Sequence, residues 1–266
     1  MCAATAMAIY GTQKITAEKA LELGLAFFSD IELAVTISGY YKYRKDRSEE
    51  DIDFIEVSLD DLKSEILAKN ATSFRLYCEN NSGELWDASF GYSTTQFGGF
   101  YNIDAQCASH TFSGKKFSEY IERTCNSTDF KYAIFFEPDD VSDGFYYAQG
   151  GNLVSIYNYE NPALFSRETG GRFRGAERFN GDMLRMVYLS NVLNEKHVSM
   201  NINGVSLQDW ILSDNGRGTL SAIANGMWIW EVEREQLDSI NKTLGGLGVL
   251  ISYKSLRVPK PTRFLP

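Results

Sequence analysis

Apolar and polar residues alternate most clearly over Met227–Tyr253, where the pattern predicts a strand, a helix and a second strand in succession. The first strand is expected at Met227–Val232, because alternating aromatic and aliphatic side chains favour a pleated, half-buried surface. Its two tryptophans, Trp228 and Trp230, would then share one face of the strand.

The helix of this unit is predicted from a change in spacing. Apolar residues now recur every three or four positions, so that Leu237, Ile240 and Leu244 would lie on one buried face. Two glycines are expected to end the helix, since glycine adopts the left-handed conformation of a helix terminus at little cost. The apolar run Leu247–Tyr253 is predicted as the second strand.

Similar patterns upstream define the expected fold. A helix followed by a strand is predicted at Ser58–Glu79 and at Ser113–Glu137, and a helix capped by Thr16 is predicted at Thr16–Phe28. Further strands are expected at Ile31–Tyr43, Leu85–His110 and Leu153–Glu160, whereas the charged run Arg44–Asp53 is expected to be a loop. Together these elements predict an α+β fold, with a mixed or mostly antiparallel sheet and three to five helices packed on one side of it.

The length of 266 residues allows one large domain or two small ones. No linker marks a clear boundary, so we expect a single α+β domain at 1–253, with 137–151 as the place where a subdivision would fall. Residues 254–266 are basic and interrupted by proline, which predicts an extended C-terminal tail.

The net charge is −9 at pH 7, from 35 acidic and 26 basic side chains. Direct nucleic-acid binding is therefore disfavoured, because it usually needs a basic surface. An acidic surface suits a basic protein partner, whose approach it would steer. Acidity can equally serve solubility alone.

We expect the protein to reside in the cytoplasm and not in a membrane. The first residues lack the basic and apolar regions of a signal peptide, and no apolar run approaches the roughly 20 residues of a membrane span. The four cysteines contain no C-x-x-C pair, so we predict no zinc site. Their thiols are expected to be reduced, as is usual in the cytoplasm, and no cofactor is predicted.

Catalytic motifs are missing from the sequence. The patterns typical of dinucleotide, nucleoside-triphosphate, zinc-protease and serine-hydrolase sites do not occur. With two histidines in the chain, a nucleophilic dyad would need Cys107 or Cys125 beside His110. His197 is expected at the surface or at a helix cap.

Three further patterns each allow a functional hypothesis beside a structural one. Asp104, Glu137 and Asp139 could supply a carboxylate pair for glycoside hydrolysis. The arginines within 167–178 could bind an anion through forked guanidinium groups, or belong to a solvated loop. The aromatic segments Phe90–Tyr101 and Phe145–Tyr159 could stack on sugars or contact a protein, although tyrosines in strands more commonly point into a core.

The C-terminal third, roughly Asn180–Tyr253, resembles the end of cytoplasmic immunity proteins from bacterial polymorphic-toxin and type VI effector systems. These proteins commonly close with a tryptophan-containing strand, a helix and a final apolar strand. The corresponding segments here are Trp228–Val232, Leu237–Leu244 and Gly248–Ile251. The resemblance implies a role in bacterial competition and transfers no site residue.

The leading hypothesis is a non-enzymatic immunity protein that binds and blocks a cognate toxin without a cofactor or metal. The toxin would be basic, such as a nuclease, and the chain itself a monomer or a homodimer. The contact surface is predicted at two acidic segments, which comprise Asp139, Asp140 and Asp143 in one and Glu49, Glu50 and Asp51 in the other. The alternatives are a hydrolase with acidic residues in a cleft, and a sugar- or peptide-binding module.

Overall fold

The computed structural model describes residues 4–44, 51–79, 86–108, 111–169 and 175–254, and within these ranges the chain forms twelve strands and eight helices. The strands are β1 (Ala4–Tyr10), β2 (Ile37–Tyr43), β3 (Ile52–Val57), β4 (Phe74–Cys78), β5 (Ala88–Ser93), β6 (Asn102–Ala108), β7 (Tyr132–Phe136), β8 (Ser190–Asn194), β9 (Asn201–Ile202), β10 (Val205–Ser206), β11 (Thr219–Ala222) and β12 (Met227–Glu231). The helices are α1 (Ala17–Asp30), α2 (Leu59–Leu67), α3 (Gly114–Ser127), α4 (Val141–Gln149), α5 (Pro162–Phe165), α6 (Glu195–Val198), α7 (Leu207–Leu212) and α8 (Arg234–Gly246).

Ten strands form one sheet in the order β11, β12, β8, β7, β1, β6, β5, β4, β2, β3, while β9 and β10 form a separate hairpin. All of these strand pairs are antiparallel. Strand β1 lies near the centre, between β6 and β7, and all seven of its residues are buried. The predicted α+β fold and its mostly antiparallel sheet are therefore confirmed.

Helices cover both faces of the sheet, whereas the sequence patterns suggested one. Along β1, Ile9 points into a first core with α1, α2 and α3, and Tyr10 points into a second core with α4 to α8. The helices are also more numerous than the three to five expected. Three of them, α5, α6 and α7, have six residues or fewer, which is too short to show a helical period in the sequence.

The local patterns of 227–246 are confirmed. Strand β12 places Trp230 in the second core and Ile229 in the first. Helix α8 buries the predicted residues Leu237, Ile240 and Leu244. The upstream helix–strand units are present as α2 with β4 and α3 with β7, and both helices begin at serine side chains that cap them.

Three strand predictions are wrong in whole or in part. Leu153–Glu160 and Leu247–Tyr253 form only isolated bridges, at Glu160–Tyr253 and Leu184–Leu250. Neither segment belongs to the main sheet. Leu250 and Ile251 are buried from a loop, whereas Leu153 and Leu247 are exposed. The strand predicted at Ile31–Tyr43 begins only at Ile37, because Glu32 takes a positive φ of 59° just after α1.

The second face of the sheet is divided into two halves. Helix α4 packs on β1 and β6, and the segments that follow cover β7, β8 and β12, which together form the covered half. On β4, β2 and β3 the same face carries half-buried and exposed side chains, and with β5 these strands form the open half. In the part of the chain that the structure describes, no helix combines the length and hydrophobicity needed to cross a membrane.

Candidate binding site on the open half of the sheet

The open half presents aromatic side chains from three strands and one turn. Their ring centroids are close, at 5.6 Å between Tyr41 and Phe54, 6.1 Å between Phe54 and Tyr77, and 5.0 Å between Tyr43 and Phe97. Together with an isoleucine of β3 they form what we call the open aromatic face, which comprises Tyr41, Tyr43, Ile52, Phe54, Tyr77 and Phe97.

Three members of the open aromatic face are well exposed. The exposed fraction is 41% for Ile52 and 37% for both Phe54 and Tyr43. A group of exposed apolar side chains on a folded protein commonly marks a binding surface. The exposure therefore distinguishes this group from the aromatic residues of the two cores.

A glycine in β2 creates the space for the ring of Phe54. A Cβ added at Gly39 would lie 2.6 Å from Cζ of Phe54 and 2.6 Å from the carbonyl oxygen of Ile55. Because no side chain stands at this position, the Phe54 ring lies across β2 instead of projecting into solvent. Phe54 is thus positioned by the sheet itself.

The turn after β5 holds the other side of the aromatic group. The Tyr43 hydroxyl donates a hydrogen bond to the carbonyl of Gln96, and the Thr72 hydroxyl donates to the Gln96 side chain. The hydroxyls of Ser73 and Thr94 lie 3.0 Å apart in the same region. These contacts tie the turn to β2 and β4, so Phe97 is held against the tyrosines.

A cleft of about 460 Å³ lies between the open aromatic face and α4. Tyr41 and Phe97 line one side, and Phe145 and Tyr146 of α4 line the other. The Arg75 side chain reaches the floor, where its guanidinium carbon lies 4.2 Å from the centre of the Phe145 ring. The cleft is thus bounded mainly by aromatic rings.

Arg75 is neutralised below the cleft by a buried carboxylate. Its two terminal nitrogens donate to Asp104 at 3.1 and 2.7 Å, and one of them also reaches Ser89 at 3.4 Å. Gly91 leaves the space for this fork, since an added Cβ would lie 2.3 Å from the guanidinium. Burial alone would lower the pKa of Arg75, but the Asp104 carboxylate and nearby tyrosines raise it, so the arginine stays charged.

Tyr41 and Tyr77 of this site are neutral hydrogen-bonding groups. Burial raises the pKa of the Tyr41 and Tyr77 hydroxyls, and the Arg75 charge acts in the opposite direction. The site therefore offers aromatic surface and uncharged hydroxyls above a balanced ion pair. This composition suits contact with a protein or with a planar group, because aromatic residues dominate the energetics of such contacts.

The predicted acidic segment at 139–143 lies at the other end of α4, where it forms the N-terminus of that helix. Asp140 is the N-cap residue, and its carboxylate accepts hydrogen bonds of 2.7 Å from the Asp143 amide and the Ser142 hydroxyl. Burial raises the pKa of Asp140, but these hydrogen bonds outweigh it and lower the pKa overall. Burial raises the pKa of Asp143, with Asp140 and Asp139 adding to the effect. Asp139 itself is exposed.

The second predicted acidic segment adjoins the open aromatic face. Asp51 directly precedes Ile52 of β3, and its carbonyl accepts a hydrogen bond of 3.0 Å from the Arg44 amide. The neighbouring Asp53 carboxylate pairs with Arg44 at 2.6 Å. Ile52 and Asp53 therefore belong to a strand and not to the expected loop. Glu49 and Glu50 lie outside the described residues.

The structure gives no support to a dyad based on Cys107. The thiol is fully buried, and burial raises its pKa although the Thr111 and Thr5 hydroxyls oppose this effect. Burial likewise raises the pKa of Cys125, to about 12. A thiol is a poor nucleophile when its thiolate is disfavoured in this way. His110 lies outside the described residues.

His197 was expected at the surface or at a helix cap. Its side chain takes part in the N-terminal cap of α6, but it is buried. Its Nδ1 accepts a hydrogen bond of 3.3 Å from the Asn194 amide, and its Nε2 donates one of 2.9 Å to the Phe179 carbonyl. Burial lowers the pKa of His197 to about 4. The side chain therefore stabilises α6 as a neutral imidazole.

The candidate carboxylates are not brought together as a set. Asp104 is buried with Arg75, whereas Glu137 and Asp139 line a separate cavity of about 400 Å³ at the start of α8. Glu137 is paired there with Arg234. A larger groove of about 670 Å³ lies between the first turns of α3 and α8, where Glu231 accepts a hydrogen bond of 3.1 Å from Ser118.

The described residues include only part of the arginine-rich segment. Arg178 donates to Glu168 through Nε at 3.0 Å, and this carboxylate also accepts the Arg178 amide at 3.0 Å. Arg178 is thus used within the segment, while Arg172 and Arg174 lie outside the described residues. Among the residues that are described, no group of three or more histidine, cysteine, aspartate or glutamate side chains could hold a metal ion.

Sequence patterns identified only part of the binding site. The aromatic segments Phe90–Tyr101 and Phe145–Tyr159 do contribute to the cleft, through Phe97, Phe145 and Tyr146. Phe54 was missed, because its strand begins inside a run of charged residues. The β-branched and aromatic residues Ile52, Phe54, Ile55 and Val57 were the signal that could have identified this strand.

The fold of this chain was compared with those of solved structures. A T6SS protein of Pseudomonas aeruginosa is similar over 94% of this chain and 73% of its own, with a TM-score of 0.53 and 9% sequence identity. The toxic C-terminal tip of CdiA from Pseudomonas aeruginosa in complex with immune protein matches 53% of this chain and 90% of its own, with a TM-score of 0.25 and 9% identity. No protein-family model and no curated protein sequence matches the chain. The chain therefore has the overall fold of the T6SS protein.

Proposed function

We propose that this protein is a non-enzymatic immunity protein, which acts in the cytoplasm by binding a basic protein toxin through the open aromatic face. The observation that carries the proposal is the exposure of Ile52, Phe54 and Tyr43 beside an aromatic cleft. Aromatic residues in a pocket are the usual anchors of a protein–protein contact.

Two further observations support a basic protein partner. The net charge of −9 would attract and orient such a partner during encounter. The chain also shares its fold with a T6SS protein, and its C-terminal third resembles immunity proteins of type VI effector systems. In this proposal the acidic residues Asp51 and Asp139 contribute to steering, while the aromatic rings supply most of the affinity.

The proposal is tested by growth rescue in bacteria that express the protein encoded next to this one. We expect wild-type protein to restore growth, and the Tyr41→Ala/Phe54→Ala variant to fail although it is folded and equally abundant. Leu67→Ala/Leu212→Ala is the matched control, since those leucines are also exposed but lie on other surfaces. Rescue by both double variants would contradict a role for the open aromatic face.

Intact mass spectrometry separates occlusion from enzymatic inactivation. The toxin should be recovered from the complex with an unchanged mass and with its activity restored after dissociation. A toxin that had been cleaved or chemically modified would favour the hydrolase alternative, and a growth defect that this protein never relieves would remove the immunity proposal.

A further inference from the structure

Strand β3 forms one edge of the main sheet in the described residues. The Arg44 amide donates a hydrogen bond to the Asp51 carbonyl. Together with the register, this bond shows which residues of β3 are hydrogen-bonded to β2. In an antiparallel pair, successive residues alternate between hydrogen bonding to the partner and facing away. Asp53, Ile55 and Val57 therefore bond to β2, and the backbone groups of Ile52, Phe54 and Glu56 point outward.

Within the described residues, this edge strand has no proline, glycine or bulge that would interrupt pairing with a further strand. Strand β3 spans six residues without proline or glycine, and its register with β2 runs without a bulge from Ile52 to Val57. Natural sheets commonly protect an edge with a short strand, a proline, a bulge or a covering element. The opposite edge, β11, has four residues and packs against α7.

The outward residues of β3 also belong to the open half of the second face. Phe54 pairs with Tyr41 in the register, and Ile52 pairs with Tyr43. Glu56 is exposed and makes no ion pair within the described part of the chain. A strand added here would place alternate side chains beside Ile52, Phe54 and Glu56, which present two apolar positions and one negative charge.

We propose that the partner adds an antiparallel strand to β3, a mode of binding that rests on the proposed function. The added segment carries a basic residue opposite Glu56 and apolar residues opposite Phe54 and Ile52. In the chain direction of the partner, this gives the pattern basic-x-apolar-x-apolar. Backbone hydrogen bonds supply affinity in such pairing, and the alternate side chains supply specificity.

Charge identifies the occupant as a basic partner and not a second copy of this chain. Two copies would each bring a net charge of −9 to the contact. A twofold pairing centred on Phe54 would also set Glu56 against Ile52 of the other copy, where its charge finds no partner. A basic strand satisfies Glu56 and is attracted by the whole molecule.

The probe is a disulfide-cyclised β-hairpin peptide whose outer strand reads Lys-Thr-Phe-Thr-Val, titrated into the isotope-labelled full chain. We expect amide NMR shifts concentrated at Ile52, Phe54 and Glu56. A hairpin with glutamate in place of the lysine should bind about tenfold more weakly, because opposite and like charges across a strand pair act in opposite directions. The Glu56→Lys variant should reverse this preference between the two hairpins.

Two substitutions of Phe54 separate the backbone from the side chain. Phe54→Pro removes an outward amide while sparing the hydrogen bonds to β2, so it should abolish hairpin binding. Phe54→Ala keeps the amide and should retain weakened binding. The NMR spectrum of each variant reports whether it is folded, and Glu56→Lys provides a test that does not depend on tolerance of proline.

Several results would overturn strand addition. These are the absence of shifts at β3 at millimolar hairpin concentration, shifts centred elsewhere, or a hairpin preference that Glu56→Lys leaves unchanged. Slow hydrogen exchange of the Phe54 amide in a dimer of the free protein would indicate a second copy as the occupant. The inference and the proposed function fail separately, since growth rescue without hairpin binding removes only strand addition, and hairpin binding without rescue removes only the immunity role.

Discussion

The covered and open halves of the second face use the same strand alternation for different purposes. In the covered half, Tyr10 of β1 is fully buried. The centroid of its ring lies 5.3 Å from that of Phe179 and 5.5 Å from that of Phe165. In the open half, Phe54 of β3 packs on Tyr41 but stays 37% exposed. The difference comes from the segment between α4 and β8, which folds over one half and not over the other.

Each half also contains a buried arginine, and the two arginines are held differently. Arg185 in the covered half lies between Tyr147 and Phe165, with its guanidinium carbon 3.5 and 3.9 Å from the ring centres, and its nearest carboxylate, that of Glu160, is 3.9 Å away. Arg75 in the open half is directly paired with Asp104. Aromatic rings therefore enclose the charge of Arg185, whereas the Asp104 carboxylate balances the charge of Arg75 below the cleft.

The largest expected effect is a difference in stability between a substitution in the core and one on the surface. Trp230→Ala should lower the free energy of unfolding by about 4 kcal/mol, because it removes a fully buried indole and its hydrogen bond of 2.7 Å to the Arg217 carbonyl. Phe54→Ala should cost about 1 kcal/mol or less, since surface substitutions rarely exceed this value. Urea unfolding measures both, and equal losses would contradict the division into a covered and an open half.

The ion pair under the cleft can be tested next. Asp104→Asn should lower the free energy of unfolding by about 3 kcal/mol, because it leaves the buried Arg75 without a counter-charge. Combining it with Arg75→Met should recover much of the loss, since no unpaired charge then remains. The same denaturation experiment measures both variants, and a double variant less stable than Asp104→Asn would show that the pair is not the source of the cost.

His197 in the covered half should make stability depend on pH. Its pKa in the folded protein is about 4, below the ordinary value of about 6.5, so between these values the unfolded chain binds more protons. Stability is then fully present above about pH 6.5 and is lost as the pH falls towards 4, by about 2 kcal/mol at pH 5. His197→Asn should remove this part of the pH dependence, and an unchanged slope would contradict a neutral buried imidazole.

The acidic N-terminus of α4 should show the smallest effects. Asp140→Ala should cost about 1 kcal/mol of stability, because it removes the N-cap of the helix. Asp139→Asn/Asp143→Asn spares the cap and should slow association with a basic partner at low salt without changing stability. Stopped-flow kinetics at two salt concentrations measures this, and unchanged association rates would exclude these residues from steering.

Sequence patterns predicted the parts of the fold that depend on local order. Helix α8 and strand β12 have periods that hold over five to thirteen residues, and the Thr16 cap of α1 was predicted from the sequence. The segment Leu153–Glu160 alternates as a strand does, yet it is a loop in which Val154 and Ile156 are half-buried and Leu153 is exposed. Alternation reports which side chains are covered and not whether the backbone finds a neighbouring strand.

The binding site depends on long-range order that no local pattern contains. Which strand becomes an edge follows from the order of all ten strands, and Phe54 and Phe97 meet Tyr41 and Tyr43 only once β2, β3 and the turn after β5 are assembled. The space for Phe54 requires Gly39, thirteen to eighteen residues before β3. The sequence therefore predicted an acidic contact surface from charge alone and identified only part of the aromatic one.

The most direct test is calorimetric titration of the purified protein encoded next to this one, the proposed toxin, into wild-type protein and the two double variants. We predict that Tyr41→Ala/Phe54→Ala weakens binding by at least about 30-fold, because each ring acts as an anchor of the contact. Leu67→Ala/Leu212→Ala should bind as the wild type does. Equal affinities for all three proteins would contradict binding through the open aromatic face.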